Sequence, residues 1–284
     1  MKKTVLDIVE MKRKGEKISY LCCYDYAMAA RCEKAGLDML LVGDSIGMVV
    51  YGFKGTIPVT MEQMIPYAQI IRRGAPNTFI VADMPFLSYQ LSAEQAVLNA
   101  GRFYKEADVD AVKVEGGRVI TDQIKAIVDA GMSVQGHIGL TPQTAGQLGG
   151  FKAQGRTAES TIGIIKDALA VEKAGAFSII LEAVPVEVGK AISKVCKIPI
   201  IGVGAGMEVD GQALIVNDVL GMGLSAGAKF VKRFAELGEG IEKGLSDYVA
   251  EVKAVKFPEE KHCYKMLEGE AEKLEALLKK GLSG

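Results

Sequence analysis

Six apolar runs along this chain each end in a polar or glycine-rich tip. They read LLVGDS at 40–45, FIVADMP at 79–85, AVKVEGG at 111–117, SVQGHIG at 133–139, SIILEAVP at 178–185 and PIIGVGAG at 199–206. The runs are continuously apolar rather than alternating, as expected of parallel strands covered by helices on one side and packed on the other. With two further β-rich runs the pattern predicts eight strands. They are Ile18–Tyr24, Met39–Val42, Phe79–Ala82, Ala111–Val114, Ser133–Gly136, Phe177–Leu181, Pro199–Val203 and Ala213–Val216.

Helical patterns fill the intervals. Thr4 is placed to cap an N-terminal amphipathic helix, with Asp7 at the capping-box position and Gly15 after its end. Thr60 with Gln63, and Ser92 with Gln95, repeat the signal, and Thr157 opens another helix. Lys34-Ala35-Gly36, Asp129-Ala130-Gly131 and Lys173-Ala174-Gly175 each put a glycine between a helix and the next strand. Pro66 falls inside the helix that Thr60 caps, where a kink or a broken first turn is expected. Beyond Phe234 come a charged helix, Glu236 to about Lys253, and a last one, about Met266–Lys280.

Strict β/α alternation from about residue 18 to about residue 255 predicts an α/β protein, a (β/α)8 TIM barrel. One domain is expected over 1–284, with N-terminal and C-terminal helices added to the barrel. A doubly wound open sheet is the alternative. The barrel gives the tips a meaning, because the C-terminal ends of its strands converge on one rim. Asp44, Asp83, Glu115 and Glu182 stand at four of them, and His137 at another. Lys113 lies two residues before Glu115 and shares its face, so it must be paired or functional.

Singly, each acid is an ordinary helix cap or surface group. Together, Asp44, Asp83 and Glu115 suit a hard divalent cation, which takes carboxylates along with substrate oxygens. Glu182, across the rim, suits a general base, or a structural acid paired with a neighbouring cation. His137 reads equally as a core or a site residue. Gly202, Gly204 and Gly206 form a tight turn, and Met207 breaks the dinucleotide fingerprint.

Composition narrows the class. Hydrophobic residues make up 49% and charged residues 24%, with a net charge of −1, which gives no general attraction to nucleic acid or to a membrane surface. No apolar run approaches the roughly 18 residues of a membrane span. Asp7 and Glu10 interrupt any signal-like stretch after Lys2-Lys3. Cys22, Cys23, Cys32, Cys196 and Cys263 are odd in number and match no metal spacing, which suggests buried thiols in a reduced, cytoplasmic setting.

Several motifs together resemble ketopantoate hydroxymethyltransferase. They are Gly43-Asp44-Ser45-Ile46-Gly47-Met48, Ile57-Pro58-Val59-Thr60, Arg72-Arg73-Gly74-Ala75-Pro76 and Val81-Ala82-Asp83-Met84-Pro85-Phe86. To these add Ala111-Val112-Lys113-Val114-Glu115-Gly116-Gly117, Gly136-His137-Ile138-Gly139-Leu140-Thr141-Pro142-Gln143 and Gln154-Gly155-Arg156. Leu181-Glu182-Ala183-Val184-Pro185, Ile201-Gly202-Val203-Gly204-Ala205-Gly206, Asp210-Gly211-Gln212 and the segment Phe257 to His262 complete the set.

The resemblance implies a (β/α)8 barrel that transfers a one-carbon unit from 5,10-methylenetetrahydrofolate to 3-methyl-2-oxobutanoate. The product is 2-dehydropantoate, for pantothenate and coenzyme A synthesis. It implies Mg²⁺ held by Asp44, Asp83 and Glu115, an enolate stabilised by that ion, and the 2-oxo acid contacted by Asp44, Ser45, Asp83 and Lys113. It also implies Glu182 as proton acceptor, His137 in the substrate pocket, and a homo-oligomer, a decamer by the family's habit. Pro66, Met207-Glu208-Val209 and Cys263-Tyr264 depart from the family's usual residues, away from the expected metal and base. The rivals are a metal–enolate enzyme of the phosphoenolpyruvate mutase and isocitrate lyase group, whose Lys-Lys-Cys-Gly-His run is missing here, and a non-catalytic barrel that senses an oxo acid or a metal.

Overall fold

The computed structural model of the chain describes residues 2–223 and 227–281. Eight strands form a closed barrel in sequence order: β1 (Ile18–Cys22), β2 (Met39–Val42), β3 (Phe79–Asp83), β4 (Ala111–Glu115), β5 (Val134–Gly139), β6 (Ser178–Glu182), β7 (Ile200–Val203) and β8 (Gly211–Ile215). Every neighbouring pair is parallel, and β1 closes the ring against β8. The expected barrel is present.

Four strands run one to three residues further than the apolar pattern predicts, so Asp83, Glu115, His137 and Glu182 lie inside strands rather than after them. Their backbones stay in the ladder, with Asp83 opposite Lys113, Glu115 opposite His137 and Gly139 opposite Glu182. Polarity ends the apolar signal before it ends the strand. The ladder then fixes how these side chains meet.

The caps form largely as the sequence suggests. Thr4 and Asp7 make a capping box on helix Val5–Lys14, as do Thr60 and Gln63 on Met61–Gly74, and Thr157 caps Ala158–Lys173. Ser92 caps Ala93–Ala107, but the Gln95 side chain bonds the Leu87 carbonyl instead of closing a box. Gly36, Gly131 and Gly175 take positive φ at their helix ends. Helix Met61–Gly74 runs through Pro66 without a break. Pro66 is exposed, so the Glu62 carbonyl it leaves unbonded can turn to water.

The N-terminal end of the barrel has its own charge system. Asp38, Asp110 and Asp210 each stand one residue before a strand, β2, β4 and β8 respectively. Each accepts a backbone N–H from the neighbouring strand, those of Ser19, Ile80 and Ile200, all at 2.8 Å. Each also pairs with a lysine in or beside helix Val5–Lys14: Lys3 with Asp38 at 3.1 Å, Lys2 with Asp110 at 2.6 Å and Lys12 with Asp210 at 2.6 Å. Ile8 and Met11 of that helix are buried.

The chain divides into two compact units, Met1–Ala235 and Glu236–Gly284. The second contains helices Leu237–Lys253 and Glu270–Lys279, and Phe257 packs against the rings of Tyr248, on the first of these helices, and of His262. The final helix starts four residues later than its charged pattern suggests. No helix among the described residues is long and apolar enough to cross a membrane.

Burial is the largest influence on Asp38 and pushes its carboxyl up, but the Ser19 hydroxyl and N–H and the Lys3 ammonium outweigh it and hold the carboxyl below its ordinary value. A depressed carboxyl contributes stability that is full above the unfolded value of about 3.9 and is lost as pH falls through the native value. Asp38→Asn is therefore expected to cost about 1–3 kcal/mol at pH 7, and the gap to the unsubstituted protein should close toward pH 3. Urea unfolding at the two pH values checks this.

Candidate active site

Inward-facing residues alternate along a strand, so Lys113 and Glu115 of β4 both point into the barrel beside Asp83 of β3. The Lys113 ammonium stands 3.2 Å from Asp83 Oδ1, 3.1 Å from Glu115 Oε1 and 3.1 Å from His137 Nδ1. All four side chains are buried. Burial is the largest influence on Lys113 and works against its charge, but Asp83, Glu115 and Asp44 outweigh it and raise its pKa well above the ordinary lysine value. Burial likewise works against the Glu115 charge. Lys113, then His137 and the Gln143 N–H at 3.0 Å, reverse it and bring Glu115 down to about 2.

Asp44 stands just past β2. A β-carbon at Gly43 before it would lie 2.7 Å from Ser45 Oγ and would force that hydroxyl to move. The Asp44 N–H bonds Asp83 Oδ2 at 3.0 Å, and Gln143 Nε2 donates to Asp44 Oδ2 at 2.8 Å. Burial first, then the charges of Asp83 and Glu115, push the Asp44 carboxyl well above its ordinary value. Three buried acids thus face one ammonium and one imidazole, and Asp44 is the acid with least compensation. Ser45 opens the short helix Ile46–Val49, and its hydroxyl shares a 2.7 Å hydrogen bond with Tyr24.

His137 joins this cluster to Glu182. Its Nδ1 lies 3.3 Å from Glu115 Oε1, and its Nε2 lies 3.2 Å from Glu182 Oε2, close enough for an ion pair but not aligned as a hydrogen bond. Burial and then Lys113 oppose a charge on the imidazole. Glu115 and Glu182 outweigh them and hold it up to about 9. Lys113 could donate to Nδ1 of a neutral ring. The carboxylates of Glu115 and Glu182 at the two ring nitrogens pull instead toward the charged form, which would set two donors, Lys113 Nζ and Nδ1–H, 3.1 Å apart. Gly139, at φ +89°, lets β5 approach β6 here; a β-carbon would sit 2.4 Å from the Glu182 carbonyl oxygen.

These groups line a cavity of about 640 Å³. Asp44, Asp83, Lys113, Glu115, His137 and Glu182 supply its ionisable wall together with Asp218, while Met48, Val49, Phe151, Ile215 and Phe230 supply apolar wall. Ser45 and Cys22 also line it. All the site residues expected from the sequence are therefore at one cavity. Gly204 packs its turn against the Phe230 ring and adds no ionisable group.

Among the described residues, no three His, Cys, Asp or Glu side chains form a group able to hold a metal ion. The Glu115 carboxylate is occupied by Lys113, His137 and the Gln143 N–H. Asp44 and Asp83 are different. Each has one oxygen tied by an N–H of the protein, and Asp83 Oδ1 is buried with no hydrogen bond, only the Lys113 ammonium at 3.2 Å. The donor set fits a hard cation through two carboxylates, with further oxygens drawn from a ligand.

Sequence reasoning assigned no role to Gln143, Tyr89 or Tyr24. Gln143 was visible only as the last residue of the Thr141-Pro142-Gln143 motif and Tyr24 only as the end of the first strand, which closes two residues earlier at Cys22; Tyr89 left no pattern.

The chain is thus a (β/α)8 barrel enzyme with a buried lysine–carboxylate centre at the C-terminal ends of its strands. Solved structures share the fold. The crystal structure of a phosphonopyruvate hydrolase complex with oxalate and Mg²⁺ aligns with TM-score 0.61 at 11% identity, over 99% of this chain and 100% of that one. A 2,3-dimethylmalate lyase, of the PEP mutase/isocitrate lyase superfamily, aligns at 0.60 and 16% identity over 99% and 97%. At such identities the likeness concerns the fold alone.

Sequence fixes the family. The ketopantoate hydroxymethyltransferase profile matches residues 2–260, and the chain belongs to that family. The 3-methyl-2-oxobutanoate hydroxymethyltransferase of Alkaliphilus metalliredigens is 52% identical over 271 residues, covering 95% of this chain and 96% of that protein. The protein of the same name from Geobacillus kaustophilus is 49% identical over 268 residues, covering 94% and 96%.

Removing the ammonium should expose the repulsion it offsets. Lys113→Ala is expected to cost about 3–5 kcal/mol at pH 8, where the acids lose their buried partner. The cost should shrink at pH 5, as Asp83 and Glu115, freed of the lysine, take up protons more readily. Denaturant unfolding at both pH values reads this; a variant as stable as the parent at pH 8 would contradict it.

Proposed function

We propose that this chain transfers a one-carbon unit from 5,10-methylenetetrahydrofolate to 3-methyl-2-oxobutanoate, forming 2-dehydropantoate in pantothenate biosynthesis. Family membership supports the reaction, and the cavity supports the division of roles. The observation that carries it is the placement of Glu182 on the far side of His137 from the acid–lysine cluster, at the same cavity. A substrate spanning the two would meet charge stabilisation at one end and a base at the other.

In this reading Asp44 and Asp83 would hold Mg²⁺, while Glu115, engaged by Lys113, would support the site from behind that ammonium rather than through a free carboxylate. Bound there, the ion would supply a Lewis acid for negative charge developing on the oxo acid. The Lys113 ammonium and the Ser45 hydroxyl bind the oxo acid and stabilise negative charge as it develops on the keto oxygen. Glu182 takes the proton from C3, and His137 holds the Glu182 carboxylate toward the cavity. The resulting enolate carbon bonds the folate-borne methylene carbon as one of its two C–N bonds breaks; water then displaces the second nitrogen, and the folate nitrogens end with the C3 proton and one proton of that water. Overall one water is consumed, its oxygen balancing the new hydroxyl, and tetrahydrofolate leaves. The apolar wall of Met48, Phe151 and Phe230 suits the flat folate ring.

Five free thiols, four of them buried, support a reducing, cytoplasmic setting. Leu237, Ile241, Leu245, Tyr248 and Val252 form an exposed stripe along one face of helix Leu237–Lys253, which supports assembly with further copies of this chain, up to the decamer the resemblance suggests. Sedimentation of the purified protein tests that expectation.

The reaction is tested with purified protein, 3-methyl-2-oxobutanoate and methylenetetrahydrofolate, with and without Mg²⁺. Product formation dependent on the ion is expected, and no product under any condition overturns the reading. Glu182→Gln is expected to retain the oxo acid while slowing deuterium exchange at C3 by at least about 10²-fold. Unimpaired exchange in that variant would remove Glu182 from the role of base.

A further inference from the structure

Gln143 is 2% exposed and sits where the loop after β5 folds over the rim. Every hydrogen-bonding capacity of its amide is used. Nε2 donates to Asp44 Oδ2 at 2.8 Å and to the Met84 carbonyl at 2.9 Å. Oε1 accepts from the Tyr89 hydroxyl at 2.8 Å and from Gln90 Nε2 at 3.2 Å. The orientation is forced, because a carboxylate and a carbonyl are both acceptors and only the NH₂ end can face them. The backbone of the same residue donates to Glu115 Oε2 at 3.0 Å. One residue therefore holds two of the three buried acids, from two different strands' ends.

Tyr89 completes the clamp. Its oxygen accepts the Glu115 N–H at 2.9 Å, and its single proton has Gln143 Oε1 and the Glu115 carbonyl, at 3.0 Å, within reach. None of these contacts requires a bound ligand. The Gln143 amide ties one oxygen of Asp44 and leaves the other without a hydrogen bond among the described residues. A carboxylate left to rotate could turn either oxygen toward the cavity, or share the Lys113 ammonium with Asp83. A fixed one presents the same oxygen each time.

We propose that Gln143, braced by Tyr89, is a positioning residue that fixes Asp44 and Glu115 so that Asp44 offers one oxygen to a hard divalent cation. The inference rests on the proposed cation site. It concerns what holds the ligands rather than which residues they are. Groups behind metal ligands typically contribute 10–100-fold to affinity, and the neutral amide suits this place because a carboxylate there would add a fourth buried negative charge.

The test uses Mn²⁺ alone as the probe, with free ion counted by electron paramagnetic resonance. The unsubstituted protein is expected to bind it, and Gln143→Ala to bind it about 10–100-fold more weakly while still unfolding in one cooperative thermal transition, lowered because the groups its amide partnered are left unsatisfied. Activity of Gln143→Ala should recover as the divalent ion is raised, which a general loss of structure would not permit. Tyr89→Phe, nearly isosteric, is the second arm and should also weaken Mn²⁺ binding; if Gln143→Ala fails to fold, Tyr89→Phe decides. Unchanged Mn²⁺ affinity in the folded variants overturns this inference alone. Absence of Mn²⁺ binding by the unsubstituted protein overturns it together with the cation site on which it rests.

Discussion

The Lys113 ammonium is the charge on which the rest of the rim depends. Asp44, Asp83 and Glu115 are all buried at the end of one barrel, and three carboxylates cannot share such a space unaided. Lys113 reaches them from within the sheet, so its place is set by the β3–β4 and β4–β5 ladders rather than by a flexible loop. Each strand register is therefore also a statement about electrostatics. A shift of one residue in β4 would turn both Lys113 and Glu115 outward and leave Asp83 facing apolar side chains.

The cluster is graded rather than uniform. Glu115 has the most partners and is held down to about 2, while Asp44 has the fewest and is pushed well up. Such spreading of like groups is what lets one pocket hold acids with different tasks. The well-compensated acid orders its neighbours, and the poorly compensated one is where an added positive charge gains most. His137 carries the same logic across to Glu182. Glu182 and the lysine–carboxylate cluster thus belong to one hydrogen-bonded and ion-paired system, though they lie on strands β2 to β6 and the loops after them.

The fold was legible because the apolar runs were unbroken and the helix boundaries carried their own chemistry. Thr4, Thr60 and Thr157 cap where their spacing indicated, and the glycines at 36, 131 and 175 end helices. The convergence of the candidate residues was legible, since Asp44, Asp83, Lys113, Glu115, His137 and Glu182 do meet at one cavity. It was less legible in its pairing. Lys113 stands among the acids that were expected to leave space for an ion, and Glu115 is consequently engaged. Spacing along a strand shows which face a side chain takes, but not which neighbour it bonds once four strands converge. Gln143 and Tyr89 escaped notice for a related reason: neutral groups give no charge pattern in a sequence, however many bonds they make.

The opposite end of the barrel has a different kind of consequence. Lys12 and Asp210, 198 residues apart in sequence, meet there at 2.6 Å, and Lys2 and Lys3 reach aspartates before β4 and β2. The first helix thus cannot complete its contacts until the last strand has arrived, and most of the chain must be gathered before that loop closes. Its docking registers completion of the ring. In terms of connectivity, this helix is a clasp across the two elements whose pairing closes the barrel, since it leads into β1 and grips the residue before β8, so loosening it would free the seam of the ring.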